Sequence, residues 1–449
     1  MTSFNNHNGE KISILVANYN NGKYLRECID SVINQTSNNW LLYIRDDAST
    51  DNSKKIYSEY ENHPQIKILF NEKNLGYIKT LKELIEDAET DIVGILDADD
   101  KLDKTAVEKV LRKYRIHYFA GFVYTNFWYC DEKMNIKRPG FCKPLPKGYT
   151  NLETLSTSHF KTFRKSVYYK TEGYDEEILY AEDKDLVYKM EEVTRLHMVN
   201  EPLYYYRELE VSESHGGKKS KLSKKNFLLA RKKAFKRRGL PNRDNFFIRL
   251  YYLEFDYFVK KRIRKAPLRL NKTDALENLI SAKEIFDSLG IDYWLTDGTL
   301  LGYYREHDFI KHDFDLDIGS FIKDYNGKII TEFLDRDWKL RRILGRKDLG
   351  LELSFTRNDL TLDIFFFYEE NGKYWHAAWE TTPKGFNMIK YYYEPFELTV
   401  GEFLGFNFKI PKDTLKYIVT KYGEGWNKPV KNWDWADGPS NSVRTQIYL

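Results

Sequence analysis

Two short acidic clusters carry most of the chemistry this chain offers: Asp97-Ala98-Asp99-Asp100 and Asp313-Phe314-Asp315-Leu316-Asp317. Like charges at such spacing repel unless a cation or a set of donors lies between them. A divalent metal bound to a phosphate-bearing substrate accounts for both clusters economically. The first closes an apolar run, Ile92-Val93-Gly94-Ile95-Leu96, which reads as a buried strand ending in carboxylates. The second alternates acidic and apolar residues, which places Asp313, Asp315 and Asp317 on one face of a strand. No internal repeat links the two, so the pattern is that of two metal-dependent sites.

The elements around the first cluster alternate strand and helix. Lys11–Val16, Trp40–Arg45, Gln65–Phe70 and Asp91–Leu96 read as strands, with helices over Tyr24–Ile33 and Tyr77–Ala88. Ser49 or Thr50 is placed to cap a further helix beginning near Asp51. This rhythm indicates a parallel α/β sheet whose ligands bind at the carboxyl ends of the strands, where Asp47, Gly76 and Asp97 fall. Around the second cluster, Asp274–Leu289 reads as an amphipathic helix ended by Gly290. Strand-like Tyr293-Trp294-Leu295 leads into the small-residue turn Asp297-Gly298-Thr299, and Leu360–Phe367 is a later strand.

Bulk properties set the frame. At 449 residues the chain suits two or three domains, and an apolar content of 42% excludes a wholly disordered protein. No apolar run approaches the roughly 20 residues that cross a bilayer. The polar start, Met1-Thr2-Ser3-Phe4-Asn5, lacks the order of a signal peptide, so a cytoplasmic location is expected. Cys28, Cys130 and Cys142 are too scattered for a disulfide framework or a zinc knuckle and are expected as reduced thiols. The net charge of +4 hides an asymmetry, since Lys218 to Lys272 holds twenty Lys and Arg against three acids. That block, with the aromatic run Phe246–Leu253, reads as a basic helical connector. It is either a solvated helix face or a surface for anionic lipid headgroups or a polyanionic acceptor. Peripheral association at the inner face of the cytoplasmic membrane follows from the second reading. No nucleic-acid reader motif accompanies it.

Val16-Ala17-Asn18-Tyr19-Asn20, Arg45-Asp46-Asp47-Ala48-Ser49, Asn71-Glu72-Lys73-Asn74-Leu75-Gly76 and Asp97-Ala98-Asp99-Asp100 together resemble the family 2 glycosyltransferases of GT-A fold. The resemblance runs over residues 10 to 215 and implies a GT-A domain over 1–215. It places Asn18, Asp47, Gly76, Lys79 and Asp97 around a nucleotide: Asp47 at the base, Gly76 allowing close backbone approach, Asp97 at the ribose. Asp99 would hold the metal on the diphosphate. Gly173-Tyr174-Asp175-Glu176 and Ala181-Glu182-Asp183-Lys184-Asp185 match the acceptor side of that family. Asp183 is thereby the general base, with Glu182 and His159 in the acceptor pocket. After Arg207 the family often has a metal-binding histidine; here the aligned residue is Leu209, with Glu210 or His215 as substitutes.

The run Leu295–Arg305 followed by Asp315-Leu316-Asp317-Ile318-Gly319 resembles the LicD/fukutin family, and more closely its fukutin branch. Leu351–Phe355, Asp363–Glu370, Tyr422–Trp426 and Pro429–Trp435 extend the likeness over residues 275 to 440. It implies a nucleotidyltransferase-like α+β domain over 272–449, joined to the first by a connector over 216–271. In that domain Asp315, Asp317 and Asp363 would bind metal and carry catalysis, and Arg305 would meet a phosphate oxygen. Glu352 is a candidate for metal or acceptor contact, Asp313 has no counterpart in the fukutin branch, and Trp433 and Trp435 read as packing. No structural zinc is expected.

Together the resemblances imply a bifunctional enzyme. One domain would transfer a sugar from a UDP-sugar with inversion, and the other a ribitol or glycerol phosphate from a CDP-polyol. Alternation would build a capsule-like or teichoic-acid-like polymer on an anionic glycan or lipid-linked acceptor. Mg2+ or Mn2+ is expected at both sites. Two alternatives stand beside this: a phosphocholine- or phosphoethanolamine-transferring second domain, or one domain acting as a catalytically silent polymer-binding module.

Overall fold

The computed structural model describes residues 10–145, 149–152, 154, 156–209, 217–239, 271–311, 313–382, 385–429, 438, 439 and 441–447. The chain divides into two compact units, Met1–Lys265 and Ala266–Leu449.

In the first unit the strands are β1 (Ile12–Asn18), β2 (Trp40–Asp46), β3 (Ile66–Phe70), β4 (Ile92–Ile95), β5 (Lys101–Leu102), β6 (Phe122–Cys130), β7 (Ile136–Pro139), β8 (Thr162–Arg164) and β9 (Leu196–Arg207). They form a mixed sheet in the order β3-β2-β1-β4-β8-β6-β9-β5, with β7 beside β6. The first four are parallel, which requires helical crossovers. The helices are α1 (Gly22–Ile33), α2 (Ser53–Tyr57), α3 (Tyr77–Asp87), α4 (Ala106–Ile116), α5 (Lys165–Tyr168), α6 (Glu182–Val193) and α7 (Gly217–Arg237). Because β1 and β4 are covered on both faces, their side chains are almost all buried, which explains continuous apolar runs rather than alternation.

Helix α2 begins two residues later than the capping pattern predicts. Ser49 Oγ is engaged by Asn20 N at 2.9 Å and Asn18 Nδ2 at 3.3 Å. Asp51 Oδ1 instead accepts from Ser53 N and Ser53 Oγ, at 2.9 and 2.6 Å.

Part of the basic stretch also proves to belong to this unit. Ala230, Ala234 and Phe235 of α7 bury against Leu152, Ile178, Ala181 and Tyr188, the last on α6. Lys233 pairs with Asp175 at 2.6 Å, Arg237 with Glu192 at 2.8 Å, and Arg238 with Glu191 at 3.1 Å. Lys233 and Arg237 of α7 thus answer acids of its own unit, while Lys221, Lys224, Lys225, Lys232 and Lys236 remain exposed. The aromatic run 246–253, Glu210, His215, Trp433 and Trp435 lie outside the described residues.

In the second unit, strands β10 (Tyr293–Leu295), β11 (Asp315–Phe321), β12 (Lys339–Arg346), β13 (Leu349–Arg357), β14 (Leu360–Glu370), β15 (Lys373–Thr382), β16 (Gly385–Tyr393) and β19 (Ser442–Ile447) build one sheet. Strands β17 (Leu398–Phe403) and β18 (Phe406–Pro411) form a separate hairpin. Strand β11 lies antiparallel to β10 and parallel to β14, and β14 is antiparallel to β13. Helices α8 (Lys272–Leu289), α9 (Asp297–Leu301), α10 (Lys328–Asp335) and α11 (Thr414–Tyr422) accompany it. Helix α8 is capped by Asn271 and ends at Gly290 in a left-handed conformation. It is more deeply buried than an amphipathic pattern implies: Glu277 and Asn278 are inside, Glu277 pairing with Arg357 at 2.5 Å. Among the described residues no helix is long and apolar enough to cross a membrane, and all three cysteines are buried and free.

Candidate active sites

The first site gathers at the carboxyl ends of β1, β2 and β4, where backbone ends and loops leave room for a ligand. Asp47, directly after β2, is 3% exposed. It accepts from Asn71 Nδ2, Leu75 N and Gly76 N, each at 2.8 Å. A carboxylate offers about four acceptor positions, so about one is left for a ligand. Gly76 has φ +86, a left-handed conformation that suits glycine, and this turn is what delivers its N–H to Asp47. Asn18 is 1% exposed, and its amide nitrogen is spent on Asp46, Ser53 and Tyr57 at 3.1, 3.0 and 2.8 Å. From there it shapes the Asp46–Ser53 turn rather than reaching into the cleft. Lys79 projects from α3 and lies 3.6 Å from Glu176.

After β4 the three acids separate by role. Asp97 accepts from Tyr77 Oη at 2.8 Å, and its amide lies 3.2 Å from Tyr204 Oη. Asp99 is half-buried, its backbone carbonyl accepting from Arg207 Nε at 2.6 Å. Asp100 points inward, 1% exposed, accepting from Tyr204 Oη and Arg207 N, both at 2.7 Å. Burial pushes the Asp100 carboxyl well up, with Asp99 and Asp97 adding to the effect. Arg207 itself is 3% exposed and reaches Glu27 at 2.7 Å, so it clasps the acidic turn from beneath. Strand β9 supplies both Tyr204 and Arg207, contacts that local spacing does not reveal.

Helix α6 brings in the remaining candidates at its N-terminus. Burial, opposed by the ammonium groups of Lys184 and Lys161, leaves Asp183 below its ordinary range; the two lie 3.6 and 3.7 Å away. Its neighbour Glu182 moves the other way, raised to about 7 by burial and then by the Asp183 charge. His159 is stacked on Tyr204 and Tyr206 at centroid distances of 4.6 and 5.1 Å, and burial keeps it neutral. Leu209 stands where a metal-binding histidine was sought. Among the described residues no third metal-ligating side chain joins Asp97 and Asp99.

The second site is a carboxylate triad. Asp317 on β11 pairs in register with Asp363 on β14, and oxygens of Asp315, Asp317 and Asp363 lie within 4.8 Å of one another. Asp317 Oδ2 accepts from Gly298 N at 2.9 Å, and Asp317 N donates to Thr299 Oγ1 at 2.8 Å. The small-residue turn therefore aims the acidic strand. A Cβ on Gly298 would stand 2.4 Å from Asp313 Oδ2 and 3.1 Å from Asp317 Oδ2, so any side chain here would push these carboxylates out of place. Burial raises Asp317 and Asp363 above the usual carboxylate range. Asp363 Oδ1 is buried with no hydrogen-bond partner. Crowded, desolvated carboxylates with an unanswered oxygen fit a divalent cation. Asp313 precedes β11 instead of sharing its face, lies outside this triad, and is raised to about 8 by burial and its hydrogen bond with Asp315.

Arg305 donates to the Trp426 carbonyl at 3.1 Å and to Glu306 at 3.0 Å, a structural engagement at the edge of the site. Glu352 is 2% exposed, 2.8 Å from Arg342, and raised to about 7 by burial and the Asp363 charge. Beneath the turn, Asp297 (φ +43) pairs with Lys421 at 2.5 Å and faces His376 Nε2 at 3.8 Å. Burial opposes ionisation of Asp297, but Lys421 and His376 hold it below its ordinary value. Lys421 and His376 were not foreseen, because their positions are set by α11 and β15, far along the chain.

Residues 13–171 match the family described as Glycosyl transferase family 2, and residues 290–413 match the one described as LicD/FKTN/FKRP, nucleotidyltransferase domain. One stretch of each compact unit thus matches one of these two families. Among curated proteins it is similar to the ribitol-5-phosphate transferase FKTN of Macaca fascicularis. That match is 40% identical over 198 residues and covers 42% of each chain. It is also similar to the chondroitin synthase of Escherichia coli, 30% identical over 230 residues, covering 51% of this chain and 33% of that one. Each match thus spans less than half the relative's length. Among solved structures it is similar to S. aureus TarS 1–349 in complex with UDP-GlcNAc. There the identity is 22% and the TM-score 0.41, covering 49% of this chain and 64% of that chain.

Proposed function

We propose that the chain is a bifunctional transferase that assembles a surface polymer of sugars and polyol phosphates. The first unit transfers a sugar from a UDP-sugar with inversion, and the second transfers ribitol or glycerol phosphate from a CDP-polyol. The observation that carries this reading is the presence of two separate acidic groups, one in each compact unit: Asp97, Asp99 and Asp100 directly after β4, and the Asp315, Asp317 and Asp363 triad on β11 and β14. The printed activities of the two relatives, a ribitol-5-phosphate transferase and a chondroitin synthase, support one half each.

In the first unit Asp47 and the 71–76 loop receive the base, and Asp97 receives the ribose. Asp183, kept ionised by Lys161 and Lys184, takes the proton of the acceptor hydroxyl as that oxygen bonds to the anomeric carbon. The bond from that carbon to the diphosphate breaks, and the nucleoside diphosphate leaves. Asp99, backed by Arg207, is the residue that would hold Mg2+ or Mn2+ there. In the second unit Asp315, Asp317 and Asp363 would hold the ion, which supplies charge neutralisation on a diphosphate when bound. As an acceptor hydroxyl attacks phosphorus in line, its proton passes to the Asp363 carboxylate, the bond to the CMP leaving group breaks, and CMP departs carrying the negative charge. Gly298 and Thr299 hold Asp317 in place through this step. The basic face of α7 is the surface through which the protein would meet an anionic membrane or acceptor.

The test is donor consumption by the intact chain with a short acceptor. UDP-sugar turnover should vanish in Asp99→Ala and Asp183→Asn while CDP-polyol turnover persists, and Asp315→Ala with Asp317→Ala should do the reverse. Sugar transfer that survives both substitutions in the first unit defeats that half of the reading.

A further inference from the structure

The carboxylates of the second site are one end of a row that crosses four strands. Asp317 pairs with Asp363, Asp363 with Ser354, and Ser354 with Arg342. Paired residues on neighbouring strands share a face, so Arg342 presents its side chain to the same surface as the two aspartates. Its guanidinium reaches to 2.8 Å from Glu352 and 3.6 Å from Asp363 Oδ2. The register slips between Leu340 and Arg342, leaving Arg341 as an inserted residue. Such a bulge re-aims a side chain, and the Arg341 charge acts on both Glu352 and Asp363. Strand β12 is the sheet edge, largely exposed, and its sequence Lys-Leu-Arg-Arg-Ile-Leu-Gly-Arg contains no acid.

Basic residues on an edge strand commonly serve only to discourage pairing with another chain. That role does not require them beside a buried acidic group, and an ion pair with Glu352 uses one guanidinium, not two. The charge balance asks for more. Asp315, Asp317, Asp363 and Glu352 already crowd one surface, and a diphosphate would add further negative charge there. One divalent ion offsets only part of this sum. A planar guanidinium matches phosphate oxygens with two parallel hydrogen bonds, which an ammonium does not.

We propose that Arg341 and Arg342 are an anion-binding arm of the second site that grips the non-bridging oxygens of a substrate phosphate. The assignment rests on the reading of this unit as a phosphoryl-transfer domain. The phosphate belongs either to the donor diphosphate or to a phosphodiester already present in the acceptor chain. Arg342 exchanges part of its contact with Glu352 for the incoming oxygens, and Arg341, exposed and without an ion pair of its own among the described residues, adds the second fork.

The experiment is titration calorimetry on the full chain in Mg2+ buffer. Its probes are CDP, cytidine, inorganic pyrophosphate and a synthetic glycerol phosphodiester trimer. Wild type is compared with Arg341→Gln, with Arg342→Lys, and with Arg341→Gln combined with Arg342→Gln. Arg341→Gln removes an exposed side chain without an ion pair, so it is expected to fold as wild type even if the double variant does not. The expected result is at least about a tenfold loss of affinity for CDP or for the trimer in the double variant. A smaller loss is expected in each single variant, with no change for cytidine. Loss with CDP assigns the arm to the donor, and loss with the trimer alone assigns it to the acceptor. Unchanged affinity for CDP, pyrophosphate and trimer in folded variants overturns the proposal. If wild type takes pyrophosphate in an arginine-dependent way but not CDP, the CDP reading fails and the arm stands.

Discussion

The protonation states of a few buried groups decide what this molecule does and at which pH. Asp183 is held below its ordinary value, so the base proposed for sugar transfer stays ionised through the neutral and mildly acidic range. The kcat/KM for sugar transfer should therefore show no acid limb near pH 7. A base at Glu182, raised to about 7, would instead lower the rate about tenfold per unit below that pH. Lys161→Met removes a positive neighbour of Asp183 and should move an acid limb upward into the measurable range. In the second unit His376 is fully buried, neither ring nitrogen has a hydrogen-bond partner, and burial lowers it to about 4. The unfolded chain binds this proton near pH 6.5 and the folded chain does not. Stability should therefore be lost as pH falls from about 6.5 toward 4, by about 3 kcal/mol at most. Denaturant melts of His376→Phe should show a flatter dependence over that window, and an unaltered slope would refute the assignment.

Elements place these groups, and here sequence and structure agree unevenly. Strands that end in carboxylates, the helix over residues 77–87, the Gly290 stop and the acidic strand beside the Gly298 turn were all legible, because each is written in neighbouring residues. Asn18 and Arg305 were read from position in a motif, and burial and the Trp426 carbonyl give them other neighbours, whereas Asp313 lies before β11 yet keeps its contact with Asp315. Arg207 beneath Asp99, Lys421 against Asp297 and Arg342 beside Asp363 were illegible, since each depends on a strand or helix that arrives much later in the chain. The basic stretch was legible in part: its charge was plain, but which of its residues meet Asp175, Glu191 and Glu192 depends on docking. Two substitutions test this scale. Gly298→Ala forces a methyl group against Asp313 and Asp317, and phosphate transfer should fall about a hundredfold or more while circular dichroism is retained. Ala234→Leu overfills the α6–α7 contact and should cost about 1–3 kcal/mol in denaturant melts, lowering sugar transfer through the displaced N-terminus of α6.

At the scale of the whole molecule, the proposed function gives the two compact units chemistries that differ in the atom attacked: carbon in the first, phosphorus in the second. Each half should therefore fail independently, and a product that needs both should fail with either. The full chain is incubated with a short acceptor and mixed UDP-sugars and CDP-polyols, and the products are weighed by mass spectrometry. The account predicts a ladder with alternating sugar and polyol-phosphate increments. Asp315→Ala with Asp317→Ala should leave it with at most one added sugar, and Asp99→Ala with at most one added polyol phosphate. Products that carry a single kind of increment, or a ladder that survives the Asp315 and Asp317 substitutions, would contradict it.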